Sequence, residues 1–241
     1  MDGTALQGKA ILVTGAGRSL GAAMSDYFES QGATVVRTDI VPAYGVIHHD
    51  VTERGDWEAV VARMVANHGR IDGLVNNAAV FFGMRPFWDE SDDEFARLLN
   101  VNVMGTWLGI QIVSREMATR SRGSIVNFSS TSGVMATPGF AGYGTSRWAV
   151  RGLTKFAAGD LASRGLRVNS IHPHGIRGTG MVGPPGTEAE ERARDRNNPH
   201  GRMGTTDDVS AVVSFLLSDA STWITGREFV LDGGASLTAA V

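Results

Sequence analysis

Apolar residues in this chain follow two alternating patterns: short runs rich in branched residues, and longer stretches with helical spacing. Runs of the first kind lie at 10–13, 34–38 and 71–75 and are typical of buried strands. The stretch after the first run has apolar positions on one face of a helix, namely Leu20, Ala23, Met24, Tyr27 and Phe28. A second such stretch lies at 56–68. The alternation predicts an α/β chain.

The later part of the chain continues this alternation. We predict a helix that begins at the capping box of Ser91 and continues after a break to Met117. A strand at 124–130 and a long helix starting at Tyr143 follow. Because 42% of the 241 residues are hydrophobic, the chain can bury a sizeable core, and we predict one domain that covers residues 1–241.

A glycine-rich turn separates the first strand from the first helix, with glycines at 15, 17 and 21. Glycine lets a pyrophosphate approach the backbone without meeting a Cβ atom, and the following helix directs free N–H groups toward the charge. A glycine pattern alone also occurs in ordinary connections. An acidic residue at a suitable distance after the turn favours a nucleotide-binding site.

That acidic residue is Asp39, at the end of the second predicted strand and about 20 residues after the turn. In Rossmann-type folds such an acid hydrogen-bonds the adenosine ribose of NAD, and its charge would repel the 2′-phosphate of NADP. Arg18 and Arg37 are nearby cations that could accept a phosphate, so both signals are present. We give the acid more weight and predict NAD, with NADP less favoured. Without the glycine turn, Asp39 would be an ordinary solvated residue.

Composition and charge exclude several classes of partner. The net charge of −3 and the scattered lysines and arginines provide no basic field for nucleic acid, so we expect a small-molecule ligand. No apolar run is long enough to cross a bilayer, and the first four residues lack the features of a signal peptide. The absence of cysteine excludes disulfides, thiol nucleophiles and cysteine-ligated zinc, and it fits a cytoplasmic protein.

His48 and His49, followed by Asp50, raise the question of a metal site. Neighbouring residues on an extended segment point to opposite faces, so they seldom bind one ion together. We therefore predict the end of a strand at this point, and no metal.

Further polar residues follow the predicted strands and helices in a defined order. They are Asn76-Asn77-Ala78, Asn102, Ser130, Tyr143 and Arg147. Tyr143 and Arg147 are four residues apart and share one helix face. Together with the glycine turn and Asp39, this set resembles the short-chain dehydrogenase/reductase family over nearly the whole chain.

The resemblance implies a single-domain Rossmann-type α/β fold, a doubly wound parallel sheet with helices on both faces. It also implies an NAD-dependent oxidoreductase that interconverts a secondary alcohol and a ketone. Tyr143 would exchange the substrate proton as general acid/base, Ser130 would orient the substrate oxygen, and Asn102 would hold a water in a proton relay. A tyrosine has an ordinary pKa of about 10, so it needs a nearby cation to act as a base near neutrality.

The cofactor-binding residues implied by the resemblance come from six segments. They are Gly15, Arg18, Ser19, Leu20, Asp39, Asp50, Val51, Asn76, Ala78, Tyr143, Arg147, Pro173 and Ile176. The helix from Tyr143 and the C-terminal strand resemble elements that the family uses in tetramer packing. We therefore expect a homotetramer.

Arg147 is the most important departure from the family pattern, because the family has a lysine there. A guanidinium keeps its charge and can hydrogen-bond a ribose diol, so it can hold the cofactor and favour a tyrosinate. It cannot release a proton into a relay, since its pKa lies above about 12. Three interpretations follow: a slower redox enzyme, a fold that binds nucleotide for non-redox chemistry (lyase or isomerase) or for binding alone, and an engineered substitution. We favour redox ancestry with retained cofactor binding.

Two smaller departures lie close to the predicted cofactor site. Ser19 stands where the family often has a glycine, and a small side chain is tolerated there if its φ is negative. His174 stands where the family usually has the glycine of a Pro-Gly pair. It could reach the nicotinamide amide or the substrate, although an isolated histidine is more often a loop residue with a local hydrogen bond.

The substrate side is predicted from apolar residues near the polar motifs. They are Phe81, Phe82, Met84, Phe87, Trp88, Met135 and Phe140. Much of this set is also compatible with the core, but a pocket lined by it suits a small hydrophobic alcohol or ketone. The segment at about 178–204, rich in glycine and proline and then in charge, is the predicted substrate lid.

Overall fold

The computed structural model describes residues 4–183, 186–196 and 198–237. Within these ranges seven strands form one sheet, and every neighbouring pair is parallel. The strands are β1 (Ala10–Thr14), β2 (Thr34–Asp39), β3 (Val46–His48), β4 (Gly73–Asn76), β5 (Gly123–Phe128), β6 (Leu166–Pro173) and β7 (Glu228–Leu231). A parallel sheet is covered on both faces, which explains why β1 is buried at every position.

The order of strands across the sheet is β3-β2-β1-β4-β5-β6-β7. β1 lies between β2 and β4, so that Leu12 is opposite Val36 on one side and Leu74 on the other. The chain extends the sheet first in one direction and then, from β4, in the other. Such a reversal opens a crevice at the carboxyl ends of the central strands, where ligands bind. The predicted doubly wound parallel sheet is confirmed.

Helices cover both faces of the sheet. They are α1 (Ser19–Ser30), α2 (Arg54–His68), α3 (Asp92–Leu98), α4 (Gly105–Ala118), α5 (Ala141–Leu161), α6 (Glu188–Arg196) and α7 (Thr206–Leu217). Helices α2, α4 and α5 contribute to the apolar core on one face, which includes Trp57 and Val113. Helices α1 and α7 contribute to the core on the other face, which includes Phe28 and Val213.

The helix predicted to begin at Ser91 is present, but its break has a specific form. The Ser91 hydroxyl accepts a hydrogen bond from the Glu94 N–H at 3.2 Å and caps α3. Between α3 and α4 the chain forms a wider π-helical segment, Leu99–Met104. Such segments are rare and frequently occur at functional sites. Asn102 lies in this segment and is fully buried.

The segment predicted as a lid includes α6, which has an acidic first turn and a basic last turn. Arg177, just before the segment, forms an ion pair with Asp195 at 2.6 Å, and the same carboxylate accepts from the Met203 N–H at 2.9 Å. The two ends of the segment are therefore tied together through Asp195. Three of its residues lie outside the described ranges, namely those at 184, 185 and 197.

In the described part of the chain, no helix combines the length and the apolar character that a bilayer crossing requires. The cytoplasmic location stays a prediction from the sequence.

Candidate active site

A cleft of about 1210 Å³ lies at the carboxyl ends of the strands. Its wall comes from residues at or after the ends of β1, β2, β3, β4, β5 and β6, together with parts of α3 and α5 and residues 179–182 of the segment predicted as a lid. The parallel sheet brings together segments that are far apart in the sequence. The predicted site residues that line this cleft are Gly15, Arg18, Ser19, Leu20, Asp39, Asp50, Val51, Ala78, Ser130, Tyr143, Arg147, Pro173 and Ile176.

The glycine turn is packed too tightly to accept side chains. Gly15 has a φ of +64°, and a Cβ there would lie 2.8 Å from the Cα of Ala78. A Cβ on Gly21 would lie 2.1 Å from the Gly15 carbonyl oxygen. The side-chain amide of Asn77 donates to the carbonyls of Thr14 at 2.9 Å and Gly15 at 3.1 Å. The turn therefore brings backbone to the cleft, as a pyrophosphate site requires.

Ser19 does not meet the condition of a negative φ under which a side chain is tolerated at this position. Its φ is +56°, in the left-handed region, which costs a residue with a Cβ about 1 kcal/mol. The Ser19 hydroxyl accepts a hydrogen bond from the Gly180 N–H at 3.1 Å. The serine thus adopts a backbone conformation that favours glycine, and it gains a contact with the lid segment that a glycine cannot make.

Asp39 is held by the backbone around it. Its Oδ2 accepts from the Gly17 N–H and its Oδ1 from the Val41 N–H, both at 2.9 Å. The carboxylate therefore lies against the glycine turn, and the residue also lines the cleft. The predicted ribose-binding role of Asp39 stays a prediction.

The two cations near Asp39 in the sequence have different positions. Arg37 is outside the cleft wall, and its guanidinium forms ion pairs with Asp26 and Glu29 of α1, each at 2.7 Å. Arg18 lines the cleft at the glycine turn. Of the two, Arg18 is the cation available to a nucleotide phosphate.

Asp50 and Val51, which follow β3, line the same cleft as Asp39. The Asp50 carboxylate accepts from the Thr52 N–H at 2.9 Å and from its hydroxyl at 2.8 Å. No group of three or more His, Cys, Asp or Glu side chains within the described ranges is arranged to hold a metal ion.

His49 is buried beside this segment. Its Nδ1 is 3.0 Å from the Thr38 hydroxyl, and its ring meets that of Trp57 edge to face at 4.4 Å between centroids. Burial lowers the pKa of His49 to about 4, although the nearby carboxylates of Asp56 and Asp50 act to raise it. The imidazole is therefore neutral at physiological pH.

Tyr143 is part of an aromatic wall of the cleft. Its ring contacts those of Phe81 and Phe140, with centroids 5.1 and 6.1 Å away, and the two phenylalanines stack at 5.2 Å. The Tyr143 hydroxyl donates to the sulfur of Met181 at 3.6 Å. A thioether is a weak acceptor, so this hydroxyl can exchange it for a substrate oxygen at little cost.

Arg147 lies against Tyr143, one turn further along α5. Its Cζ is 4.8 Å from the centroid of the Tyr143 ring, and its Nη1 donates to the Phe128 carbonyl at 3.0 Å. The residue is 3% exposed, and its Nε is buried without a hydrogen-bond partner among the residues described. A buried N–H left unpaired is costly, so this atom marks a place for a ligand oxygen.

Ser130 is held from behind by a histidine that sequence reasoning missed. The Ser130 hydroxyl accepts from the Ser132 N–H at 3.1 Å, and its carbonyl accepts from Nδ1–H of His172 at 3.1 Å. Nε2 of His172 then accepts from the Ser170 hydroxyl at 2.9 Å. Burial lowers the pKa of His172 and favours this neutral form. The sequence signal that could have identified His172 is a histidine within a buried strand.

Two predicted site residues lie behind the cleft wall. The Asn102 side chain accepts from the Val80 N–H at 2.9 Å and donates to the Val80 carbonyl at 3.1 Å. The Asn102 side chain therefore supports the wall through Val80, and the role of Asn102 in holding a relay water stays a prediction. Asn76 donates to the Asn127 side chain at 2.8 Å, and its neighbour Asn77 lines the cleft in its place.

His174 lies in the cleft wall beside Pro173. Its Nδ1 is 3.2 Å from the hydroxyl of Thr131. This is the local hydrogen bond that is common for loop histidines, and it also brings the imidazole next to the residue that follows Ser130.

This geometry has counterparts among known proteins. A family model described as enoyl-(acyl carrier protein) reductase matches residues 15–236. A 3-alpha-(or 20-beta)-hydroxysteroid dehydrogenase of Mycobacterium bovis is 38% identical over 241 residues, covering 95% of this chain and 90% of the relative. The chain belongs to the short-chain dehydrogenase/reductase family. The family uses nicotinamide cofactors, and its oxidoreductase members among the relatives support an enzyme.

Two further relatives support this family membership. The cyclopentanol dehydrogenase of Comamonas sp. is 35% identical over 247 residues, covering 94% of this chain and 96% of the relative. The solved structure of ElxO with NADP bound matches with a TM-score of 0.89 at 28% identity, covering 95% of this chain and 99% of that chain. The predicted family is confirmed, and the named dehydrogenases support an oxidoreductase of secondary alcohols and ketones.

Proposed function

We propose that this member of the short-chain dehydrogenase/reductase family is an NAD-dependent enzyme that interconverts a secondary alcohol and a ketone on a small hydrophobic substrate. The position of Tyr143 carries the proposal. Tyr143 lines the same cleft as the glycine turn, and the cationic Arg147 lies against its ring. Carbonyl reduction requires a proton donor, a cation and a nucleotide-binding turn in one cavity.

In the proposed mechanism, Ser130 and Tyr143 both hydrogen-bond the substrate oxygen. Tyr143 gives its hydroxyl proton to this oxygen when the ketone becomes an alcohol, and it takes the proton back in the reverse reaction. Arg147 stabilises the negative charge that Tyr143 carries in between, because a guanidinium stays protonated. A nicotinamide cofactor supplies or accepts the hydride when bound.

The cleft residues fit such a dinucleotide. The glycine turn leaves its backbone accessible, Asp39 retains acceptor capacity because each carboxylate oxygen has a second lone pair, and the Arg147 Nε is an unused buried donor. We assign the pyrophosphate to the turn, the adenosine ribose to Asp39 and the nicotinamide ribose to Arg147. The remaining cofactor contacts are assigned to Asp50, Val51, Ala78, Pro173 and Ile176.

We infer that NAD is preferred over NADP. Asp39 brings negative charge to the turn, and Arg37 is occupied by its two acidic partners. Only Arg18, of the two cations considered, remains to attract a 2′-phosphate. Because the structural neighbour ElxO binds NADP, a titration with both cofactors tests this preference.

The substrate is proposed to be alicyclic. Phe81, Phe140 and Met181 form an apolar surface beside Tyr143. The related hydroxysteroid and cyclopentanol dehydrogenases are named for cyclic alcohols. We propose that a hydrocarbon ring packs against this surface while its oxygen reaches Tyr143, and that the segment at about 178–204 acts as the lid.

We propose a homotetramer in which the exposed surfaces of α4 and α5 form contacts between subunits. Trp107 is 47% exposed, Trp148 46% and Phe156 79%. Large exposed aromatic side chains on neighbouring helices are typical of protein interfaces. Light scattering that returned the 25.6 kDa mass of a single chain would contradict this assembly.

The main experiment measures cofactor binding and turnover on the same samples. NADH and NADPH are titrated by fluorescence, and NADH oxidation is then followed with a panel of cyclic ketones for wild type, Tyr143→Phe and Arg147→Lys. We expect wild type to reduce at least one ketone, and Tyr143→Phe to lose about 100-fold or more in kcat with a much smaller change in NADH affinity. We expect Arg147→Lys to be faster than wild type, since a lysine can release a proton into a relay.

Tight NADH binding by wild type without oxidation by any ketone would overturn the redox proposal. If only Arg147→Lys reacted, Arg147 would have switched off hydride chemistry. The lyase, isomerase or binding alternative would then replace the proposed function.

A further inference from the structure

Arg97 is a cation in the cleft wall that the proposed reaction does not use. It lies in the last turn of α3 and lines the cleft together with Asn100. Its guanidinium lies over the ring of Phe82, with Cζ 5.8 Å from the ring centroid. A cation on an aromatic face is oriented by the ring while its N–H groups stay available for hydrogen bonds.

Arg97 has no ion pair or hydrogen bond with the residues that the structure describes. The carboxylate nearest along the helix, Glu94, is at the i−3 position, where an ion pair would form readily. Glu94 instead pairs with Arg85 at 2.6 Å, and Arg85 also donates to the Phe82 carbonyl at 2.6 Å. Arg85 thus neutralises Glu94 and links the Phe82 backbone to α3. This link holds the Phe82 ring in place beneath the Arg97 guanidinium.

Phe82 connects Arg97 to the reacting end of the cleft. The residue before it, Phe81, has its ring 5.1 Å from that of Tyr143. The wall therefore runs from the Tyr143 phenol, across two consecutive phenylalanines, to a guanidinium. A molecule that lies along this wall with its carbonyl at Tyr143 needs an apolar body and meets a positive charge at its far end.

We propose that Arg97 binds a carboxylate on the substrate, which makes the substrate class a hydrophobic oxo or hydroxy carboxylic acid. The inference rests on the proposed function, because it takes Tyr143 as the reacting end. A guanidinium holds a carboxylate through two parallel hydrogen bonds. Asn100, three residues further along the helical chain, adds a side-chain amide donor to the same wall.

The test compares two ketones of similar shape that differ in charge, 4-oxocyclohexanecarboxylate and 4-oxocyclohexanecarboxamide, in NADH oxidation. We expect Arg97→Gln to lower kcat/KM for the carboxylate by about 10- to 100-fold, mainly through KM, and to leave the amide within about twofold. Arg97→Lys should recover part of the loss, since it restores the charge without the planar fork. Arg63→Gln, an exposed α2 arginine outside the cleft wall, is the matched control and should change neither value.

An equal loss for the acid and the amide would show that Arg97 only shapes the wall, and it would overturn the proposal. NADH affinity, titrated for the same variants, separates the two sources of an anion. Weaker NADH binding by Arg97→Gln would assign the guanidinium to a cofactor phosphate and would also overturn the proposal.

Failure of the proposed reaction is distinguishable from failure of this site. If wild type oxidised NADH with neither ketone, calorimetric titration of 4-oxocyclohexanecarboxylate into the NADH complex would still test Arg97. We expect wild type to bind the acid at least about 10-fold more tightly than Arg97→Gln does. Equal affinities would overturn the carboxylate site.

Discussion

The proposed function divides the cleft into a nucleotide half, formed by the glycine turn, Asp39 and Asn77, and a substrate half, formed by the aromatic wall with Tyr143, Arg147 and Arg97. In the nucleotide half, Asn77 and Asp39 are bonded to backbone atoms. In the substrate half, the Tyr143 hydroxyl has only a thioether as acceptor, and the Arg147 Nε has no partner among the described residues. In the nucleotide half, the backbone conformation therefore fixes the shape of the site. In the substrate half, side chains with unused hydrogen-bonding capacity provide the groups that can bind a ligand.

This difference predicts how each half responds to substitution. A change in the nucleotide half should alter stability and cofactor affinity together, because the same contacts fold the turn and shape the site. A change at the polar groups of the substrate half should alter rate or selectivity while the free energy of unfolding stays nearly constant.

The largest effect is expected from Gly21→Ala. The new Cβ would lie 2.1 Å from the Gly15 carbonyl oxygen, a backbone atom that cannot move without deforming the turn. We expect a loss of about 3 kcal/mol in unfolding free energy, together with NADH binding weakened by about 100-fold. Chemical denaturation and NADH fluorescence titration measure the two quantities.

Gly55→Ala is the matched control for this substitution. Gly55 lies in α2, and a Cβ there would meet nothing within 4 Å. We expect it to leave NADH affinity unchanged and to stabilise the helix by up to about 1 kcal/mol. If Gly21→Ala behaved like this control, the tight packing of the turn would be disproved.

The next effect is a pH dependence of stability that comes from His49 behind the nucleotide half. Its folded pKa of about 4 lies below the ordinary 6.5, so the unfolded chain binds the proton more readily. Its contribution is fully present above pH 6.5 and is lost as the pH falls toward 4. We expect a loss of about 2 kcal/mol over this window, with His172 adding in the same direction.

Unfolding free energies of wild type and His49→Gln, measured between pH 7 and pH 4, check this expectation. The slope against pH should be smaller in the variant, because the buried imidazole no longer titrates. His68→Gln, at the exposed end of α2, should keep the wild-type slope. An unchanged slope in His49→Gln would show that this histidine binds protons equally well in both states.

The smallest effect concerns Ser19, which joins the glycine turn to the lid segment. Ser19→Ala and Ser19→Gly both remove the hydrogen bond with Gly180, but only glycine relieves the left-handed conformation. We expect the glycine variant to be more stable than the alanine variant by about 1 kcal/mol. Thermal unfolding of the pair measures the difference, and equal stabilities would contradict the positive φ.

The α/β class and the strand-turn-helix start of the chain could be predicted from the residues themselves because their signals are local. Apolar runs separated by helical stretches indicate an α/β chain, and the glycine turn with Asp39 follows the spacing of a strand-turn-helix-strand unit. The segment Glu188–Arg196 is likewise indicated as an exposed helix by its own charged residues. Each feature depends on contacts between residues close in the chain or on adjacent strands. The prediction of a doubly wound parallel sheet rests on the resemblance to the family.

The substrate half could be predicted only in outline, because its contacts join segments that are far apart in the sequence. The α3 pattern does not show that Arg97 faces Phe82, since this depends on the course of the loop that follows β4. The side chain of Asn102 turns toward Val80 for the same reason. The positive φ of Ser19 accompanies a hydrogen bond with Gly180, which is 161 residues away in the sequence.

The position of β1 in the middle of the sheet also has a consequence for synthesis on the ribosome. Both neighbours of β1, namely β2 and β4, are complete once the chain has reached Asn76. The scaffold of the nucleotide half can therefore begin to assemble while Tyr143 and Arg147 are still untranslated. At about 5–20 residues per second, the reacting end of the cleft follows several seconds later. In the nascent protein, the strands that support the proposed cofactor site are therefore synthesised before Tyr143 and Arg147.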